Sequence, residues 1–192
     1  MRKIILASGS AQRKKLLDLL DVKFTVIKSD AEELTEIKTT CAALVKHNAL
    51  IKARDVASRV KKGVVIGADT VVYLGGKILI LKPKSLQEAK KNLKLLFRRP
   101  QWVLTGVAVI DVESGKEIVS YEKTRVFMEP LTDAEIDRYY QKMSPLDKAG
   151  GFDIEGRGSA FIHRIEGCYT NVIGLPMAKL FEMLKEVGVF LI

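Results

Sequence analysis

Asp69 closes the run GVVIGAD, which is apolar enough for a buried strand, and an isolated carboxylate in such a place is costly unless it has a partner or a task. Lys52 raises the same question on a helix. It falls seven residues after Val45, so the helical period sets it almost over the apolar stripe. Lys82 follows ILIL and precedes Pro83, which marks the end of a strand, where α/β proteins commonly place their ligands. Glu32 and Glu33 sit in the acidic loop SDAEEL and can offer oxygen to a divalent cation. Each has a plainer reading: Asp69 as a turn residue, Lys52 as a snorkelling lysine, the loop as a solvated one. Together they are more telling. Arg13, Lys52 and Lys82 with Asp69 and Glu33 are the parts required to hold a polyphosphate beside a hard metal and to activate water.

The entry to the first helix supports that chemistry. Ser8, Gly9 and Ser10 follow IILA and open an amphipathic stretch whose first turn carries Arg13, Lys14 and Lys15. A helix N-terminus has a partial positive charge and favours acidic residues, so these cations have the wrong sign. An anion supplied from outside removes the conflict, since the helix start and the cations then attract the same phosphate.

The elements that must position these residues alternate along the chain. Residues 3–7 read as a strand, 10–20 as a helix with Leu16, Leu17, Leu19 and Leu20 toward the core, and 23–28 as a strand with Phe24 and Val26 on one face. Apolar residues at Ala42, Val45, Ala49, Ala53, Val56 and Val60 predict a long helix over 39–60. GVVIGADTVVYL is a buried strand returning through Gly75–Gly76 as KILIL, and Ser85 with Glu88 reads as a capping box. Residues 102–112 and 116–128 form a predicted hairpin, Thr132 with Glu135 starts another helix, a glycine-rich segment over 149–174 contains the strand AFIHRI, and Pro176 takes the first position of a last helix. Mixed strands and helices throughout give an α/β fold.

Composition limits the partners. The net charge of +9 suits nucleic acid, an acidic membrane surface or a phosphorylated small molecule, but much of it lies on faces such as 84–99 that read as solvated. No apolar run approaches the roughly 20 residues of a membrane span, and the apolar part of MRKIILASGS is too short for a secretory signal. Cys41 and Cys168 lack metal-ligand spacing and fit a reducing compartment, so a cytoplasmic protein without membrane or nucleic-acid partners is expected.

LASGSAQRKKLL (6–17) resembles the opening motif of the Maf family of nucleoside triphosphate pyrophosphatases, usually Leu-Ala-Ser-x-Ser-Pro-Arg-Arg followed by Leu-Leu. The likeness continues through SDAEE (29–33), LIKAR (50–54), GADTVV (67–72), LKP (81–83), TGVAV (105–109), LDKAGGFDIEGRG (146–158) and IEGCYTNVIGLP (165–176). Several motifs in the right order are more specific than any one of them. The resemblance implies hydrolysis of a nucleoside triphosphate to a monophosphate and pyrophosphate. It makes Asp69 the general base, Glu33 with Asp69 the holders of Mg²⁺ or Mn²⁺, and Ser8, Gly9, Ser10, Arg13, Lys52 and Lys82 the contacts to phosphate. It also implies one elongated domain over 1–192, with a mixed twisted sheet flanked by helices, two lobes around a central nucleotide cleft, and assembly as a homodimer.

Departures from the pattern bear on the base. Pro-Arg-Arg is replaced by Ala11-Gln12-Arg13, and the glutamine of the family's Ile-Gln-Gly by Glu155. The branch that prefers dTTP and UTP carries Arg, Thr and Gln at the selecting positions, and the branch associated with 7-methyl-GTP carries Trp, His and Glu. Here they are Gln12, Thr70 and Glu155. An ionised glutamate accepts from a guanine edge but cannot donate to a pyrimidine carbonyl. Thr70 points to pyrimidines, so dTTP and UTP or a modified nucleotide are expected. The alternatives are 7-methyl-GTP, a purine substrate of the ITP type, and a non-catalytic nucleotide-binding regulator of cell division. Gln101–Trp102 replaces a frequent family histidine, and His47 and His163 fall at no matched catalytic position.

Overall fold

In the computed structural model, which describes residues 2–191, strands and helices alternate. Strand β1 (Ile4–Leu6) leads to helix α1 (Ala11–Asp18) and β2 (Phe24–Val26). Helix α2 (Cys41–Ala57) precedes β3 (Val64–Gly75) and β4 (Ile78–Ile80), and α3 (Leu86–Leu96) precedes β5 (Gln101–Asp111) and β6 (Glu117–Met128). Then come α4 (Asp133–Tyr140), β7 (Ile162–Glu166), α5 (Tyr169–Ile173) and α6 (Met177–Lys185). The seven strands form one mixed sheet in the order β2-β1-β3-β5-β6-β7, with β4 also on β3. Strand β1 is parallel to β2 and β3, whereas β3 with β4 and β6 with β7 are antiparallel. This is the α/β class read from the sequence. No helix among the described residues is long and apolar enough to cross a membrane.

The chain divides into two compact units, one made of residues up to Thr70, Thr105–Glu122 and from Gly174 on, the other of Val71–Leu104 and Lys123–Ile173. In the first, the α2 stripe Ala49, Ala53 and Val56 packs with Ile5, Val65, Ala108 and Ile110. Ile4, Leu6, Val64 and Ile66 point the other way and are equally buried, so this part of the sheet is covered on both faces. Two glycines set how near α2 lies. A Cβ on Gly67 of β3 would run into the carbonyl of Ala49, and one on Gly106 of β5 into that of Val45. With no side chain between helix and sheet at these points, Asn48 and Lys52 reach the strand residues beside Gly67. Gly67→Ala and Gly106→Ala are each expected to cost about 1–3 kcal/mol through overpacking, read as a lower urea midpoint. An unchanged midpoint would show that the contact has slack.

In the second unit, α3 and α4 bring Leu93, Leu96, Ile136 and Tyr139 against Val72, Val103 and Val126, with Phe152 and Phe161 in the same core. Residues alternate across a strand, so Trp102, Arg125 and Phe127 face away from that core. There cations lie over rings: Lys123 Nζ is 3.7 Å from the Trp102 centroid and the Arg164 guanidinium 4.0 Å from that of Phe127.

Several boundaries differ from the pattern reading. Helix α1 stops at Asp18 rather than residue 20, which leaves Leu19 78% exposed while Leu16 and Leu17 are buried. Helix α2 starts at Cys41 rather than residue 39 because Thr40 caps it, its side chain accepting the Ala43 N–H at 3.0 Å, and it stops at Ala57 with Ser58 as C-cap rather than at residue 60. Strand β2 keeps only Phe24–Val26, and Val26 is exposed. Ser85 caps α3 by accepting from the Glu88 N–H, but the Glu88 carboxylate accepts from Lys84 N–H instead of closing the box; Thr132 and Glu135 form a complete one. Pro176 is the N-cap of α6, one position before the expected place, and the short α5 inside the glycine-rich segment was not anticipated.

Candidate active site

Asp69, 6% exposed on β3, is the centre of a small charged cluster in the first unit. Lys52 Nζ donates to Asp69 Oδ1 at 2.9 Å, lies 2.7 Å from Glu33 Oε2 and donates weakly to the Ala68 carbonyl at 3.4 Å. Asn48 Nδ2 donates to the other oxygen, Oδ2, at 3.0 Å. Burial by itself would push the Asp69 carboxyl up. The charge and hydrogen bond of Lys52, the charge of Arg13 and the amide of Asn48 outweigh it, and the carboxyl is held below its ordinary range. Asp69 is therefore an ionised carboxylate, and each oxygen retains a lone pair beyond the one already engaged.

Arg13 resolves the sign conflict at the helix start in a different way from the one the sequence suggested. Its side chain turns inward and is 9% exposed. Nε donates to the Gly174 carbonyl at 2.8 Å, Nη1 to Ser8 Oγ at 3.0 Å and to the Ala68 carbonyl at 2.9 Å, and Nη2 to Thr70 Oγ1 at 2.9 Å. Four bonds to protein leave one of its five N–H groups for a ligand. Burial pushes the guanidinium below its ordinary value, against the charges of Asp69 and Glu33. Gly174 offers its carbonyl from a backbone at φ +123°, a region L side chains rarely adopt.

The Ser8-Gly9-Ser10 turn is ordered around this arginine. Ser10 Oγ accepts the Arg13 N–H as N-cap and donates to Gln12 Oε1 at 3.2 Å. Ser8 Oγ accepts from Ser10 N–H and from Arg13, which occupies both lone pairs, and its own proton has no acceptor among the described residues. Ser8 is thus a ready donor. Thr70 Oγ1 also donates to the Gly174 carbonyl at 3.3 Å and shares a hydrogen bond of 3.0 Å with Thr105 Oγ1.

Ser8, Ser10, Gln12, Arg13, Glu33, Lys52, Asp69 and Thr70 therefore belong to one connected set, with Gly9 in its turn. Lys82 and Glu155 belong to the second unit. Lys82 is exposed after β4. Glu155 is exposed on a turn pinned by Asp153, whose Oδ1 accepts from Tyr139 O–H at 2.7 Å and Gly158 N–H at 3.0 Å. Pattern reading missed Asn48, Thr105 and the Gly174 carbonyl. Asn48 had a signal, being a polar residue between Val45 and Ala49 on the apolar stripe, one turn before Lys52.

Among the described residues no group of three or more His, Cys, Asp or Glu side chains gathers as a ready cation cage. Glu33 and Asp69, joined through Lys52, are two carboxylates. That donor set fits a small hard cation such as Mg²⁺, which takes one or two carboxylates and fills its remaining positions with water and substrate phosphates.

The family model described as Maf-like protein matches residues 3–187. A protein of Alkaliphilus metalliredigens named dTTP/UTP pyrophosphatase is 43% identical over 187 residues, 97% of this chain and 96% of its own. One of the same name from Bacillus mycoides is 46% identical over 186 residues, again 97% and 96% of the two chains. Among solved structures, the Staphylococcus aureus Ham1 protein aligns with 66% of this chain and 72% of its own, at 16% identity and a TM-score of 0.47. The motifs that run from Ser8 to Pro176 are thus those of a whole-length match, and the chain belongs to the Maf family.

Proposed function

We propose that this chain is a metal-dependent nucleoside triphosphate pyrophosphatase that cleaves between the α and β phosphates, with dTTP and UTP as its preferred substrates. The names of its relatives support the substrate class. The observation that carries the chemistry is Asp69, buried yet ionised, beside Lys52 and Glu33.

Asp69 orients a water toward the α phosphorus. As the new P–O bond forms, the bond to the αβ bridging oxygen breaks, the water proton passes to Asp69 and the electron pair leaves on pyrophosphate. A carboxyl below its ordinary range is a weak base, so it takes the proton late and works chiefly by orientation. Ser8 O–H donates to a phosphate oxygen, while Lys52 offsets the charge on the departing pyrophosphate; for Lys82 the support is the family motif LKP alone. Glu33 and Asp69 would hold Mg²⁺ or Mn²⁺, which when bound supplies charge neutralisation and acidifies water.

Base choice rests on Gln12, Thr70 and Glu155. The Thr70 hydroxyl and the Gln12 carbonyl already have protein partners, whereas the Glu155 carboxylate has none among the described residues. An unpartnered carboxylate favours, as a second reading, a guanine-type substrate such as 7-methyl-GTP. The test is pyrophosphate release from dTTP, UTP, CTP, GTP, 7-methyl-GTP and ITP with Mg²⁺ and with Mn²⁺, and with chelator as control. Release from dTTP and UTP above the purines is expected, and dependence on neither metal would sink the metal assignment. Glu155→Gln is expected to raise the dTTP to 7-methyl-GTP ratio of kcat/KM by about tenfold. An unaltered ranking would remove Glu155 from base selection.

A further inference from the structure

Asn48 is 2% exposed on α2, among the buried apolar residues Leu44, Val45 and Ala49. Packing does not call for an amide at this place. Its oxygen accepts the Leu34 N–H at 2.9 Å, and its nitrogen donates to the Leu34 carbonyl at 2.9 Å and to Asp69 Oδ2 at 3.0 Å. The two bonds to Leu34 grip its backbone as a neighbouring strand would, immediately after Glu33. The third aims one oxygen of Asp69. One turn later Lys52 bridges Glu33 and Asp69 themselves.

We infer that Asn48 is a positioning residue for the reaction: it holds the Glu33 loop and the Asp69 carboxylate in one fixed relation before any ligand binds. A buried amide with both protons and its oxygen engaged has a single satisfied orientation, so the two carboxylates share one rigid reference point. The inference rests on Asp69 being the group that orients water.

Two variants separate its parts. Asn48→Ala removes all three bonds. Asn48→Asp keeps an acceptor for the Leu34 N–H but loses both donors and sets a like charge against Asp69. Hydrogen exchange at the Leu34 amide is expected to speed up in Asn48→Ala and to stay slow in Asn48→Asp. In both, kcat is expected to fall about 10–100-fold, with KM for UTP unchanged. Wild-type kcat in either folded variant overturns the inference, and faster exchange with retained kcat would make Asn48 an anchor of the loop alone. If Asn48→Ala does not fold, Asn48→Asp carries the test. The wild-type protein in the same assay separates the two levels: no release from it would sink the proposed activity itself, whereas active wild type with active variants would sink only the role of Asn48.

Discussion

Asp69→Asn is expected to lower pyrophosphate release by about 10²–10⁴-fold and to leave the chain folded. A neutral amide takes no proton, and with one acceptor oxygen in place of two and no charge it also orients the water less well, so turnover falls on both counts. The fold survives because the replacement is close in shape, Lys52 keeps Glu33 at 2.7 Å, and the bonds of Arg13 to Ser8, Ala68, Thr70 and Gly174 do not involve the side chain at 69. A smaller effect accompanies it. The carboxylate accepts from Lys52 on one oxygen and Asn48 on the other, whereas an amide has one oxygen, so one donor will face an NH₂ group. A modestly lower melting temperature is therefore expected beside the loss of activity. Release within a few-fold of wild type would leave Asp69 as an ion-pair partner only.

Lys52→Met should produce the largest change in stability. The side chains of Lys52 and Asp69 are 10% and 8% exposed, and methionine retains most of the stem while removing the charge. Breaking a buried pair by deleting one partner costs about 3–5 kcal/mol, because the other charge stays buried. Glu33 is half-exposed and adds little. The sign with pH follows from Asp69. In the wild type its carboxyl lies below its ordinary range, so its contribution is present above that range and is lost as pH falls through the lower folded value. Without Lys52, burial opposes ionisation with only Arg13 and Asn48 against it, and the carboxyl moves up. The folded variant is then penalised at neutral pH and relieved on acidification. Urea unfolding of the two proteins should show the widest gap near neutral pH and a narrower one as pH falls through the carboxylate range. A gap independent of pH would mean that Lys52 acts through packing alone.

How far these residues could be read in advance depended on where their partners lie. Asp69 and Lys52 stood out because a charge interrupts an apolar pattern, and that departure is local. The strands and longer helices were legible for the same reason, since periodicity and caps such as Thr132–Glu135 are written within a few residues. Arg13 reads in the sequence as a phosphate contact, and its near neighbours show only a helix start, with no sign of the bonds to protein it also makes. Its acceptors at Ala68, Thr70 and Gly174 are 55 to 161 positions away, and nothing in the first turn signals them. Residue type alone makes Glu32 and Glu33 equivalent; the family motif singles out Glu33, and Lys52 lies within reach of that one. Gly67 and Gly106 were hidden in apolar runs, where a glycine that permits close helix contact has the same neighbours as one that does not.

Trp102, the single tryptophan of the chain, lies in the second unit with the Lys123 ammonium 3.7 Å from its ring centroid. An indole under a fixed cation emits differently from one in water, so fluorescence follows that unit alone, while far-ultraviolet circular dichroism sums over both. Denaturation curves that coincide by the two probes would describe one cooperative transition. Curves that separate would mean that half of the molecule can melt while the other half, with Asp69, still stands, and the natural fluorophore would time the two events without any added label.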